Sequence, residues 1–368
     1  MTTTSFRIAV LPGDGIGQEV MKPCIDVLEA AVRRTGNFKL HYEWLEAGAD
    51  TYVATGNALP KATFDACEKA DAILLGAMGM PHIRYPDGTE IAPQLDLRFD
   101  LGLYAGVRPI RAVPGVPTML KDPRADRIDL VIIRESTEGL FASRGKGVVI
   151  EDREARDTMV ITRATSERLF DFSFRLAGQR KAKGGPGRVT CVDKANVFKS
   201  FAFFRQVFDE RAKGFPDLTG DHVYIDATAL LLVLKPWDFD VIVTENMFGD
   251  ILSDLGAGLI GGMGYAPSGD IGDEHAMFQP SHGTAPDIMG QGKANPTAMF
   301  LSGAMMLDWL GHRHDVAGAV EAGRLITRAV DEAFSGGRLL TCEFGGASGT
   351  QEVATAVLEA LQSVDARG

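Results

Sequence analysis

Asp250 and Asp254 stand four residues apart in Asn246-Met-Phe-Gly-Asp250-Ile-Leu-Ser-Asp254. On a helix, i and i+4 share one face, about 5–6 Å apart, so the two carboxylates can hold one cation. A third acid, Asp226, ends the strand-like run Val223-Tyr-Ile225 and precedes an apolar stretch. Three carboxylates and two substrate oxygens fill an all-oxygen octahedral site suited to Mg²⁺ or Mn²⁺. On spacing alone, Asp250 and Asp254 read equally well as a solvated helix face. Arg98, Arg108 and Arg134 each fall near the end of an expected element, and guanidinium forks are the natural clamps for carboxylates. A di- or tricarboxylate would use all three, whereas singly each is an ordinary surface ion-pair partner. Lys194 follows the buried-looking strand Val189–Val192, where desolvation and nearby cations can turn a lysine into a general base; the alternative is a plain surface lysine. Finally, His282-Gly-Thr-Ala-Pro-Asp287-Ile288 is a turn-rich loop, followed by Asn295-Pro296. An acid at Asp287 can accept hydrogen bonds from the two ribose hydroxyls of NAD and would repel the 2′-phosphate of NADP.

The elements that must position these groups alternate strand and helix in the first third. Phe6–Leu11, 40–45 and Ala72–Leu75 read as strands; 16–34 and 61–69 read as helices. That βαβ rhythm predicts a parallel sheet with helices on its faces. Pro23 should kink the first helix or delay its start. Further strands are expected at Leu130–Ile133, Val189–Val192, Val223–Ile225 and Val241–Val243, with a long hairpin arm built from 147–150 and 159–162 around a polar middle. From Asn295 onward three helices are expected, at 297–310, 316–334 and 350–364. Gly13-Asp-Gly15-Ile-Gly17 has the wrong spacing for a dinucleotide fingerprint, because Gln18 occupies the third glycine's place, so a Rossmann site is not expected.

The 368 residues are 45% hydrophobic, enough for one large or two medium domains. The net charge of −11, with basic residues scattered among acids, shows no nucleic-acid footprint. No run approaches the roughly 18 apolar residues of a membrane span, and no signal-peptide core is visible, so the expectation is a cytoplasmic protein without a membrane partner. Cys24, Cys67, Cys191 and Cys342 form no CxxC pair and read as ordinary thiols.

Together the motifs resemble the β-decarboxylating dehydrogenase family, which includes isocitrate, 3-isopropylmalate, homoisocitrate, tartrate and D-malate dehydrogenases. The resemblance runs nearly end to end: Leu11–Gly17, Leu74-Leu-Gly76, Arg98 with Arg108-Pro109, Arg134-Glu-Ser-Thr-Glu138, Asp193-Lys-Ala-Asn196, Asn246–Asp254 and His282–Pro296. It implies an α/β, isopropylmalate dehydrogenase-like two-domain fold with a parallel or mixed sheet flanked by helices. Residues 1–103 and 261–368 would form a large NAD-binding domain, and 104–260 a small dimerisation domain with the hairpin arm around 144–163. It implies a homodimer whose active sites are shared, Lys194 and Asp226 coming from the neighbouring subunit. By the resemblance, Arg98, Arg108, Arg134, Gln94, Leu95 and Asn196 bind substrate, and Lys194 and Asp226 are catalytic. Asp226, Asp250 and Asp254 hold Mg²⁺ or Mn²⁺, and His282, Gly283, Ala285, Asp287, Ile288 and Asn295 hold NAD.

One position departs from the pattern. Most of the family carries a tyrosine seven residues after the arginine matching Arg134, to return a proton after CO₂ leaves; here Phe141 stands there. Either Lys194, Glu138 or water substitutes, or the enol is released slowly, or the substrate needs no such donor. Substrate choice in the family resides in the segment before Arg98, here Ile91-Ala-Pro-Gln94-Leu95. Ala92 and Gln94 depart from the isocitrate pattern. Ile91 and Leu95 would suit an alkyl group, whereas Val113–Pro117 is similar to tartrate and D-malate enzymes. The expected substrate is a D-malate-type acid, with 3-isopropylmalate the first to try; isocitrate, homoisocitrate and a non-catalytic binding paralogue are the alternatives.

Overall fold

The computed structural model describes residues 4–365. Its strands are β1 (Thr4–Gly13), β2 (Phe38–Trp44), β3 (Ala72–Ala77), β4 (Ala105–Arg111), β5 (Asp129–Glu135), β6 (Val148–Ile150), β7 (Glu154–Arg156), β8 (Arg188–Asp193), β9 (Thr219–Tyr224), β10 (Val241–Thr244), β11 (Pro267–Ile271) and β12 (Ala276–Pro280). Ten of them form one mixed sheet in the order β2-β1-β3-β12-β11-β4-β5-β10-β8-β9. The outer pairs are parallel; the three central ones, β12–β11, β11–β4 and β4–β5, are antiparallel.

The parallel ends follow from composition. In β1, Phe6, Ile8 and Val10 enter one apolar cluster while Ala9 and Leu11 enter another on the opposite face. A strand buried on both faces needs helices on both. The helix Ile16–Thr35 covers one side through Val20, Met21, Cys24, Val27, Leu28 and Ala31, spaced at three and four residues. Helices Thr297–His314, Ala317–Ser335 and Thr350–Ser363 close the core behind it, near the expected bounds.

Several expectations are corrected. Pro23 neither delays nor ends the first helix, which begins at Ile16 and continues to Thr35. The hairpin pairs β6 with β7, three residues each, not with 159–162. Its turn places Glu151 and Asp152 at φ 50° and 53°, which closes the ribbon early. Val160 instead forms an isolated bridge with Gly139. Helices Ala49–Thr55, Arg163–Ala182 and Lys199–Ala212 lie where only strands or connections were read. Strands β4, β11 and β12, the antiparallel centre of the sheet, were not anticipated. They are short and interrupted by Gly, Pro and charged residues, so they carry little periodic signal.

The glycine cluster after β1 is a packing junction. A side chain at Gly13 (φ 72°) would lie 1.9 Å from the Ala77 carbonyl, and one at Gly15 would meet Thr284. Between these glycines Asp14 is fully buried. Its carboxylate accepts hydrogen bonds from the backbone N–H groups of Ala49 (2.8 Å), Asp50 (3.0 Å) and Gly79 (2.8 Å).

Candidate active site

The antiparallel centre of the sheet builds one wall of the site. Residues paired across such a ladder point to the same face, and so do residues two apart on one strand. Asp270 pairs with Gly106, Gly106 pairs with Arg134, and Ser268 pairs with Gln279. Arg108 lies two residues beyond Gly106. The register therefore brings Arg108, Arg134, Asp270, Ser268 and Gln279 to one face, although they come from four strands. Gly106 is part of the design: a Cβ there would lie 2.6 Å from Ser136 Oγ and 3.1 Å from Asp270 Oδ1. Arg108 thus sits mid-strand, not at an element end.

Two helices supply the rest. Helix Pro93–Asp100 presents Gln94, Leu95 and Arg98. Helix Asn246–Leu259 begins where Glu245 accepts a hydrogen bond from the Phe248 N–H, 2.9 Å, as its N-cap. Gly249 lets this helix approach β5, since a Cβ would stand 2.6 Å from that of Arg134. Asp250 and Asp254 consequently line the same cavity as the three arginines. The cavity is about 280 Å³ and is also bordered by Phe141, Ser253, His282 and Gly283.

The charges are tightly partnered. Asp270 is fully buried; its Oδ2 accepts from Arg98 Nε at 2.9 Å and Gln279 Nε2 at 3.2 Å, and its Oδ1 from Arg108 Nη2 and Ser136 Oγ, both at 3.3 Å. Burial alone would push this carboxyl up, but Arg98, Arg108 and Arg134 outweigh it and hold the carboxyl below its usual range. Arg134 donates from Nε and Nη2 to Asn246 Oδ1, 3.0 and 2.8 Å, and from Nη1 to Asp250. Burial lowers the Arg134 guanidinium to about 10 and also lowers Arg108. Asp254 is raised by burial and by the charge of Asp250. Arg108 Nη1, Gln94 Oε1, Ser268 Oγ and His282 Nε2 are buried without a hydrogen-bond partner. Burying an unpaired polar atom is costly, so these four unmet atoms mark a place for a polar guest.

Not every expected residue enters this cavity. Lys194 Nζ lies 2.5 Å from Asp226 Oδ1, and neither lines the cavity. The Asp226 side chain is 68% exposed, in the first turn of helix Ile225–Leu234, and the hydrogen bond from Lys194 lowers its carboxyl. Lys194 is half-buried beside an acid, rather than enclosed among cations, and Asn196 is exposed beyond it. Among the described residues of one chain no three metal-binding side chains converge, so Asp226, Asp250 and Asp254 do not form a set within it. Ile91 is buried with Ala49, Ala58 and Met80 and does not face the cavity; Leu95 does. In the loop after His282, Ala285 has φ 38°, Asp287 is exposed and Ile288 packs against the core. Asn295 is buried with both polar atoms engaged: Oδ1 accepts from Thr297, and Nδ2 donates to Glu343 Oε1 at 3.2 Å. Glu138 accepts hydrogen bonds from Thr162 and Thr165 and does not line the cavity. Asp270, Gln279, Ser268 and Asn246 were missed as contributors. Only Asn246 had a signal, as the first residue of the acidic motif.

A family model described as isocitrate/isopropylmalate dehydrogenase matches residues 7–357. The chain belongs to the isocitrate/isopropylmalate dehydrogenase family. The 3-isopropylmalate/3-methylmalate dehydrogenase of Methanocaldococcus jannaschii is 42% identical over 357 residues, 97% of this chain and 99% of that one. The 3-isopropylmalate dehydrogenase of Moorella thermoacetica is 42% identical over 333 residues, 88% of this chain and 91% of its own. In three dimensions the chain is similar to isocitrate dehydrogenase from Methylococcus capsulatus, with a TM-score of 0.84, 36% identity, and coverage of 97% of this chain and 100% of that one. This member of the family is accordingly a β-decarboxylating dehydrogenase acting on a CH–OH group, and its reaction is the oxidative decarboxylation of a hydroxy acid. No helix among its described residues is long and apolar enough to cross a membrane.

Proposed function

We propose that the substrate is a D-malate-type 2-hydroxy acid, 3-isopropylmalate, D-malate or tartrate, oxidised with NAD and Mg²⁺ or Mn²⁺. The observation that carries this reading is the unpartnered Arg108 Nη1, set between Arg98 and Arg134 in a cavity whose other wall is Asp250 and Asp254. Guanidiniums grip the carboxylates and fix C2 in place.

The residues fit the implied cofactors. Asp250 and Asp254 offer only oxygen donors, and burial together with their mutual repulsion raises Asp254, a strain that a divalent cation would relieve. The third oxygen donor, Asp226, would come from a second copy with Lys194. Exposed Leu230, Val233 and Leu234 share the helix of Asp226, and exposed Ile251 shares that of Asp250. An apolar surface next to both half-sites supports a homodimer that joins them. For NAD, exposed Asp287 would accept the ribose hydroxyls, while His282, Gly283, Ala285 and Ile288 form the loop around the adenosine half and Asn295 pins its far end. The division into domains 1–103 with 261–368 and 104–260 belongs to the same reading: it falls at the β11–β4 seam of the sheet.

When bound, the cation would acidify the C2 hydroxyl and draw in the electron pair released with CO₂, while nicotinamide accepts the hydride from C2. Lys194 or a water linked to it takes the hydroxyl proton, and Asp226 holds the lysine in place. The carboxylate departs as CO₂, and a proton must then be returned to carbon. Phe141 lies with Arg134 over its ring, 5.1 Å away, and has no proton to give. Lys194 or water serves instead.

The test is NADH formation with Mn²⁺ across D-malate, tartrates, 3-isopropylmalate, isocitrate and homoisocitrate, with CO₂ trapped in parallel. One substrate giving NADH and CO₂ in equal amounts is expected; no NADH from any of them refutes the reading. Lys194→Met should abolish turnover while NAD still binds.

A further inference from the structure

The buried acid Asp270 accepts hydrogen bonds from Arg98 and Arg108 from outside the cavity lining and so takes up part of the charge of both. All four of its hydrogen bonds come from residues of this chain, and the acid has no exposure at all. It fixes Arg98 through Nε and Arg108 through Nη2. Arg98 also lines the cavity, and Arg108 keeps Nη1, which has no partner.

We infer that Asp270 sets the charge class of the substrate, tuning the arginine clamp to two carboxylates and against three. The inference rests on the proposed function and deepens it. Charge counting gives the reason. Arg98, Arg108 and Arg134 carry three positive charges, and Asp270 cancels one of them. Asp250 and Asp254 together balance one divalent cation, and Lys194 balances Asp226. Two positive charges remain, the number a dicarboxylate neutralises. A third carboxylate would enter a site with no cation left for it, because Asp270, buried outside the cavity lining, already takes up part of the charge of Arg98 and Arg108. Glu90, at the exposed rim, adds repulsion. Like charge at close range inside a site is a strong basis for rejection. Asp270 acts through the arginines and is a positioning residue, not a catalytic one.

The experiment is calorimetric binding of D-malate and of tricarballylate, with Mg²⁺ present, to the full chain and to Asp270→Asn, which keeps the shape and removes the charge. The unaltered chain is expected to bind D-malate at least about tenfold more tightly. In Asp270→Asn, the preference should shift towards tricarballylate by about tenfold, equivalent to about 1.4 kcal/mol. A substitution that weakens both ligands equally, as a purely structural role would, overturns the inference. Should Asp270→Asn fail to fold, the unaltered chain decides alone: tricarballylate binding as tightly as D-malate overturns the inference. Discrimination in binding without NADH from any acid would retain this role for Asp270 and remove the proposed reaction, so the two failures are distinguishable.

Discussion

Phe141 is where a single side chain has most to say about rate. It lines the cavity and packs its ring against Arg134. Phe141→Tyr is expected to raise kcat, and the ratio of CO₂ to NADH if it lies below one. Because the proposed route returns the proton through Lys194 or water, the gain should be about tenfold rather than the 10² or more a lone general acid can contribute. An unchanged kcat would show that proton return is not limiting. A second residue-scale effect concerns Glu135, which is buried directly after Arg134. Burial raises its carboxyl to about 7 from 4.5, despite hydrogen bonds from the N–H and hydroxyl of Thr137 and the N–H of Glu138. The folded state therefore holds this proton where the unfolded chain releases it. Stability is full below about pH 4.5 and declines as pH rises to about 7, by roughly 3 kcal/mol, then levels off. Urea melts across that range should show the decline in the native chain and its loss in Glu135→Gln.

At the scale of elements, Asp14 is the clearest case of one side chain joining three segments. Helix Ala49–Thr55 has no side-chain cap of its own; Asp14, thirty-five residues earlier, accepts its first two N–H groups and also that of Gly79. Asp14→Ala leaves buried donors without an acceptor and should cost roughly 2–4 kcal/mol, read as a lower urea midpoint with an unchanged slope. The adjoining glycines show the same junction from the side of sterics. Helix Asn246–Leu259 illustrates how much of an element's function is legible locally. The i,i+4 acids and the face they share followed from spacing. That the face meets Arg134, through the gap at Gly249, did not, because the approach depends on β5 lying beneath it.

For the whole molecule, the separation of Lys194 and Asp226 from the arginine cavity is the decisive feature. A shared site makes a quantitative prediction. Lys194→Met and Asp250→Asn should each be inactive alone. Unfolded together and refolded as an equal mixture, they should recover about a quarter of native activity, since half the dimers are mixed and each has one intact site. No recovery would mean that each chain completes its own site. Leu234→Glu, on the exposed apolar face, should halve the mass seen by sedimentation and abolish turnover while leaving the secondary structure intact.

By itself the sequence determined the family, the parallel ends of the sheet, the three C-terminal helices and most of the charged residues of the cavity. Each of these rests on local information: periodicity and motifs whose members are close in the chain. Tertiary structure alone decided the antiparallel centre and the register Asp270–Gly106–Arg134, and it turned Ile91 away from the cavity and committed Asn295 to its neighbours. Asp270 is the telling example. A single acid in Pro267-Ser-Gly-Asp-Ile271 carries no spacing signal, and its partners lie 162 and 172 residues away. Its meaning exists only once strands distant in sequence are hydrogen-bonded side by side, because pairing, not sequence proximity, determines which side chains share a face.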